Sequence, residues 1–240
     1  MSDVELESKS LQDLRKIIEG AKDWGIRLVV IGGYAVRAYT KGYRFTKDID
    51  LVTTKQALGK LKGLLQYLGY EYRETEFGIA GSKKFNEGFI DLHISIERIL
   101  DISTGIAIPV TKDLFKEAAE LEVKGYYPES KDLALKTKVV SPELLLLLKL
   151  IPVGREEKDY IDIFALLINK GNDIDLNKIS EKCEQYNLRD HLLSQLRKYA
   201  DFISKWEMRK TWFSITGLRV TQVEEREALK FIRKLMEVLR

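Results

Sequence analysis

Apolar residues recur at helical spacing from Ser10 to Gly25, with Leu11, Leu14, Ile17, Ile18 and Ala21 on one stripe. Ser10 and Asp13 read as an N-terminal capping box and Gly25 as the stop. Leu28–Ile31 is a short, wholly apolar run rich in β-branched residues, which predicts a buried strand. Gly32-Gly33 breaks it, and Tyr34–Tyr39 follows as a short helix. Asp48–Val52 alternates polar and apolar, a strand pattern. Thr54 caps a predicted helix from Lys55 to Leu68, ended by Gly69. Tyr70–Thr75, Lys83–Phe85, Phe89–Ile94 and Ile106–Val110 then read as strands, Lys112–Ala119 as helix, and the stretch to Val140 as short mixed strands.

The pattern changes at Ser141-Pro142, an N-cap serine followed by proline at the first helical position. Helices are predicted at Leu144–Ile151, Glu156–Asn169, Leu176–Tyr186 and Arg189 to about Lys205. Thr221 and Glu224 form a capping box for a last helix running to Arg240. The fold class is therefore α+β: a mixed sheet with flanking helices over residues 1–140, then a helical domain over 141–240.

Composition narrows the chemistry. Of the 240 residues, 45% are hydrophobic and 32% charged, which excludes wholesale disorder. Forty basic against 37 acidic residues leave a formal charge of +3, too little for strong nonspecific polyanion binding by net charge alone. The single cysteine, Cys183, cannot form an internal disulfide, and the two histidines, His93 and His191, lie far apart. Carboxylates are left as the candidate metal ligands. The acidic N-terminus has no apolar core, and the longest apolar run, around Leu144–Ile151, is too short to span a bilayer. The chain reads as a soluble cytoplasmic protein with no membrane partner.

Candidate chemistry concentrates in one region. On an alternating strand, Asp48 and Asp50 face one way while Ile49 and Leu51 face a core. Paired carboxylates repel unless a cation lies between them, and a hard ion such as Mg²⁺ suits oxygen ligands. Asp-x-Asp alone is also consistent with a solvated polar face. Gly32 and Gly33, at a strand-to-helix turn, present bare backbone N–H groups suited to a phosphate. Asp91, on the alternating strand Ile90–Ile94, supplies a third carboxylate that can help hold two metal ions or take a proton from an attacking hydroxyl. His93 shares that face and reads as a polar neighbour rather than a ligand.

The stretch Gly32-Gly33-Tyr34-Ala35-Val36-Arg37, with Arg44, Thr46, Asp48-Ile49-Asp50-Leu51 and Asp91, resembles the DNA polymerase β-type nucleotidyltransferase superfamily. It is most similar to small stand-alone members, the AbiEii-like abortive-infection toxins and the antibiotic-modifying enzymes. The resemblance covers roughly residues 26–95. It implies transfer of an NMP from an NTP, with ATP favoured, to an acceptor hydroxyl. It also implies two Mg²⁺ ions held by Asp48, Asp50 and Asp91. Gly32, Gly33, Tyr34, Arg44, Thr46 and Lys149 are the implied nucleotide-binding residues. Tyr34 reads equally as packing, and Arg44 equally as a structural salt bridge.

A weaker extension follows. Lys149, Arg155 and Lys158-Asp159-Tyr160-Ile161-Asp162 resemble the toxin group's lysine, arginine and basic-Asp-x-x-Asp arrangement, although Pro152 and Gly154 interrupt the helix there. Lys149, set among leucines, reads as a phosphate ligand or as a snorkelling side chain. Asp159 and Asp162 read as a solvated face or as ion pairs with Lys158 or Arg155. The acceptor stays open between RNA such as a tRNA end, a protein side chain and a small polyhydroxy compound. Arg197, Lys198, Lys205, Trp206, Arg209, Lys210 and Trp212 interleave charge with aromatics, as in single-strand RNA sites, but amphipathic helices with packed tryptophans explain them better. The rival readings are an antibiotic-type nucleotidyltransferase and a catalytically silent nucleotide-binding toxin–antitoxin component.

Overall fold

A computed structural model describes residues 3–86, 88–154 and 156–240. The chain divides into two compact units. The first comprises residues up to Ala38, Phe45–Leu100 and Ala107–Ser141; the second comprises Tyr39–Arg44, Asp101–Ile106 and Pro142–Arg240. Among the described residues no helix is long and apolar enough to cross a membrane.

In the first unit the elements run α1 (Asp3–Asp23), β1 (Val29–Val30), α2 (Gly32–Tyr39, whose last residue belongs to the second unit), β2 (Ile49–Val52), α3 (Leu58–Tyr67), β3 (Glu71–Thr75), β4 (Gly78–Phe85), β5 (Gly88–Ser95), β6 (Arg98–Leu100), β7 (Ala107–Pro109), α4 (Lys112–Glu117), β8 (Ala119–Val123) and β9 (Leu135–Val139). Seven strands form one mixed sheet in the order β3-β4-β5-β2-β1-β9-β8, and β6 pairs with β7 apart from it. At its centre β2 runs parallel to β5 and antiparallel to β1, and β1 runs parallel to β9 through Val30 and Val139. Ile49 and Leu51 of β2 and Ile90, Leu92 and Ile94 of β5 are buried, which fixes which face of each strand turns inward. Helix α1 adds Leu11, Leu14, Ile17 and Ala21 to that core and packs on α3 and β5.

Several expectations change, and Thr54, expected to cap a helix from Lys55, makes no side-chain cap there. Helix α1 begins at Asp3, seven residues before the expected start, so Ser10 and Asp13 lie inside the helix and are buried rather than capping it. Asp13 instead accepts hydrogen bonds from Tyr70 at 3.1 Å and Lys83 at 3.2 Å. Strand β4 starts at Gly78, five residues before the expected Lys83. Its first half carries glycine at positions 78 and 81, where the neighbouring backbone runs too close for a side chain. A Cβ on Gly78 would lie 1.9 Å from the Ile94 carbonyl oxygen. Asp48 stands just outside β2 rather than within it.

The second unit contains α5 (Pro142–Leu150), α6 (Glu157–Lys170), α7 (Leu176–Gln185), α8 (Arg189–Ser204), α9 (Glu207–Thr216) and α10 (Gln222–Val238). Helix α5 starts at the expected proline and buries Leu144–Leu147 and Leu150, so it is apolar nearly all round. The capping box at α10 forms as expected, with Glu224 N donating to Thr221 Oγ1 at 3.2 Å and Thr221 N to Glu224 Oε2 at 2.7 Å. Helix α8 ends close to the expected Lys205, at a break with Trp206 in the left-handed region at φ 66°, and α9 beyond it is unexpected. Trp212 is buried against Phe164 and Tyr43, and Arg209 pairs with Glu225, which accords with packed amphipathic helices.

Candidate active site

The first unit places most of the expected site residues around one corner of the sheet. Strand β1 ends at Val30, and the next residue, Ile31, donates its N–H to the Asp50 carbonyl at 3.0 Å. The chain then turns through Gly32 at φ +65° into α2. A Cβ at residue 32 would stand 2.0 Å from Asp50 Oδ2. Two independent constraints therefore require glycine: a left-handed backbone and a carboxylate pressed against the main chain. Gly33 follows as the next residue of α2, so its backbone also opens the helix beside this turn.

The parallel register sets Asp50 opposite His93 and Ile49 opposite Leu92. With the odd positions of β2 turned into the core, Asp50 and His93 face the other way, and Asp91 lies two residues before His93 on that same face. The paired register begins at Ile49–Leu92, so Asp48 lies one residue ahead of it, in the segment entering β2. His93 Nδ1 stands 3.4 Å from Asp50 Oδ1. The hydrogen bond with Asp50 raises the His93 pKa; partial burial opposes this, and the charges of Asp50, Asp48 and Asp91 add to it. All three acids thus lie within electrostatic reach of one imidazole.

Tyr34 lies in the core rather than on this face. Its ring is buried, and its hydroxyl donates to Ser10 Oγ at 2.8 Å and to the Thr46 carbonyl at 3.2 Å. Burial, the largest influence, keeps its phenol protonated well above the ordinary tyrosine range. Ser10 Oγ in turn donates to the Lys47 carbonyl at 2.5 Å, and Lys47 Nζ donates to the Phe89 carbonyl at 2.9 Å. Thr46 itself is buried. The two peptide carbonyls immediately before Asp48 are therefore fastened to α1 and α2, and the Lys47 side chain reaches the start of β5. Sequence reasoning missed Ser10 because a serine near an apolar stripe looks like a cap. Arg37, part of the glycine motif, is also internal: its Nη1 lies 2.8 Å from Glu7 Oε1, and Glu7 Oε2 accepts from the Tyr126 and Tyr127 amides.

Arg44 and Lys149 belong to the second unit, where both converge on Asp162. Arg44 grips it with two donors, Nε at 2.7 Å and Nη2 at 2.6 Å, while Lys149 Nζ lies 2.7 Å from Asp162 and 3.6 Å from Asp159. Asp162 is buried, so the expectation of a solvated face is corrected for this residue. Burial pushes its carboxyl up, but the charges of Lys149 and Arg44 and their hydrogen bonds more than offset this and hold it below the usual range. Arg155 lies outside the described residues.

Among the described residues no group of three or more His, Cys, Asp or Glu side chains is gathered closely enough to hold a metal ion as it stands. The fit to a divalent cation rests on donor chemistry: Asp48, Asp50 and Asp91 offer hard oxygen donors within electrostatic reach of His93, beside a glycine whose missing side chain makes room for the Asp50 carboxylate.

Among solved structures, the whole chain resembles JHP933 from Helicobacter pylori, with a TM-score of 0.56 and 12% identity, covering 94% of that chain. The solution structure of the antibiotic-resistance factor ANT(2'')-Ia matches 80% of the chain at a TM-score of 0.51 and 15% identity, covering 99% of that protein. At these identities the likenesses speak for the fold, a nucleotidyltransferase-type mixed sheet with helices. No curated protein matches the sequence significantly. The family model of the nucleotidyl transferase AbiEii toxin of type IV toxin–antitoxin systems matches residues 16–234. A match over that length means that the chain belongs to the AbiEii nucleotidyltransferase family and is a nucleotidyltransferase.

Proposed function

We propose that the corner formed by Gly32, Asp48, Asp50 and Asp91 transfers a nucleoside monophosphate from an NTP, with ATP favoured, to an acceptor hydroxyl. The observation that carries this reading is the contact between Asp50 and the Gly32 backbone, made on the face that the β2–β5 register also gives to Asp91. It puts a bare main chain, able to take a phosphate, beside carboxylates able to hold a cation. Asp48, Asp50 and Asp91 would hold divalent metal, Mg²⁺ by donor type and two ions by the number of carboxylates. When bound, the metal neutralises the triphosphate and makes the acceptor hydroxyl more acidic.

The chain's own residues do the rest. The backbone N–H groups at Gly32 and Gly33 hold phosphate oxygens, and the glycine at 32 lets them approach. Asp91 accepts the proton of the acceptor hydroxyl as its oxygen attacks the α-phosphorus. The new P–O bond forms as the bond to the β-phosphate breaks, and pyrophosphate leaves with that electron pair. Tyr34 and Ser10 keep the segment before Asp48 in place. The test incubates the protein with each α-labelled NTP and Mg²⁺ against total RNA, a protein extract and a panel of polyhydroxy compounds. Label should enter one acceptor pool and disappear with Asp50→Asn or Asp91→Asn, each still folded by circular dichroism. Full transfer by both variants would overturn the assignment.

A further inference from the structure

At the other end of β2 and β5, away from the acids, the first unit has a cleft of about 780 Å³. It is lined by the residues that follow the two strands, Thr54–Ala57 and Ile96–Arg98, together with Gly25, Arg27, Lys60 and the stretch Val110–Lys112 and Phe115. Five of the lining side chains are cationic: Arg27, Lys55, Lys60, Arg98 and Lys112. Glu97 is the one carboxylate among them. This single hollow thus holds more net positive charge than the formal +3 of the whole chain.

The partners of these cations are the second observation. Lys55 is engaged by Glu97 at 2.6 Å, and Lys60 Nζ donates to the Trp24 carbonyl at 2.9 Å. Arg27, Arg98 and Lys112 form no ion pair among the described residues, although Arg98 also acts at longer range on Glu97, the carboxylate that Lys55 engages. The two guanidinium groups lie over aromatic rings instead, Arg27 5.5 Å from the Phe115 centroid and Arg98 5.7 Å from that of Phe77. Three like charges around one concavity repel one another, and a ligand with several closely spaced negative charges relieves that repulsion. Guanidinium forks match phosphate oxygens in pairs, and a lysine adds a point charge. The lining also includes the buried Ala57 and Ile96, with Phe115 and Val110, so the organic part of a ligand would meet apolar surface. The volume falls in the range of small-molecule sites, roughly 300–1,000 Å³, rather than that of an extended groove.

We propose that this cleft is a second anion site, separate from the carboxylate corner, that binds a small polyphosphorylated molecule. The inference does not depend on the nucleotidyl-transfer site, because the two sets of residues do not overlap. The test is calorimetric titration of the full chain with sodium tripolyphosphate at physiological salt, with EDTA present so that metal-dependent binding elsewhere is silent. The proposal expects saturable binding that weakens about tenfold or more in the triple variant Arg27→Gln, Arg98→Gln, Lys112→Gln. The control Lys198→Gln, Lys210→Gln, Lys234→Gln removes the same charge from exposed positions elsewhere and should bind as the wild type does. Equal weakening in both variants would show a diffuse charge effect and overturn the site. So would the absence of saturable binding. Equal affinity for citrate would overturn the phosphate class, and binding of an RNA oligonucleotide at these residues without tripolyphosphate binding would overturn the small ligand.

Discussion

The phenolic hydroxyl of Tyr34 donates to Ser10 Oγ at 2.8 Å inside the core, and through this pair the chain entering β2 is held from two helices. Each residue also donates to one peptide carbonyl just ahead of Asp48, Tyr34 to Thr46 and Ser10 to Lys47. A tyrosine beside the glycine turn thus orders the approach to the acids from within the core. Tyr34→Phe deletes the shared donor and keeps the ring. It should cost about 0.5–1.5 kcal/mol in urea unfolding. It should also lower transfer activity while the secondary structure stays intact, as followed by circular dichroism.

Gly32→Ala meets two obstacles, the left-handed backbone and the Asp50 carboxylate. The backbone alone costs roughly 1–2 kcal/mol for a residue with a side chain. The carboxylate must also move off the main chain. A folded variant with transfer activity reduced to background is expected, measured by labelled-NTP transfer beside a thermal melt. Activity near the wild-type level would mean that the contact has no role in the chemistry.

Asp162 is the common partner of Arg44 and Lys149, and Asp162→Asn leaves two cations facing a neutral amide. Breaking a buried pair in this way costs about 3–5 kcal/mol at neutral pH. The sign of its pH dependence follows from the lowered carboxyl. As pH falls, the unfolded chain takes up the proton first, near pH ~3.9. The stabilisation is therefore complete above that value and fades below it as pH drops through the folded pKa. Urea titrations of wild type and variant should differ most at neutral pH and converge in strong acid.

His93 offers a direct reading of the acid corner. In EDTA its imidazole should titrate above the ordinary value of about 6.5, because it hydrogen-bonds Asp50 and feels Asp48 and Asp91. Asp50→Asn removes the largest influence, so the midpoint should fall. NMR of the ring protons follows both, and His191, hydrogen-bonded to the Ile151 carbonyl at 2.7 Å, is the only other histidine to assign. An unchanged midpoint in the variant would separate the two side chains in solution.

Local alternation made the acid-bearing strands legible, since Ile49, Leu51, Leu92 and Ile94 mark the core face as plainly in the sequence as in the fold. The glycine turn was legible because a glycine pair after a β-branched run has few other uses. Features that depend on distant partners were not. Asp162 has basic neighbours in sequence and looked like a surface residue, yet Arg44, 118 positions upstream, helps to enclose it. The start of β4 was hidden because its glycines answer to an adjoining backbone rather than to a propensity. Ser10 and Glu7 were hidden for a related reason: polar residues inside a long helix are read as surface or cap until their partners are known.

Strand β1 is two residues long and lies between β2 and β9, so the turn that carries Gly32 hangs on a ladder whose second side arrives only with Val139. A nascent chain that has not yet released Leu135–Val139 holds that turn at an open margin, with the backbone of Val30 paired on one side alone. Order at the glycine turn therefore comes late in synthesis, once a contact spanning more than a hundred residues has closed. A ribosome-bound fragment stopped short of residue 135 would carry every acid of the proposed corner and still lack the scaffold that steadies it.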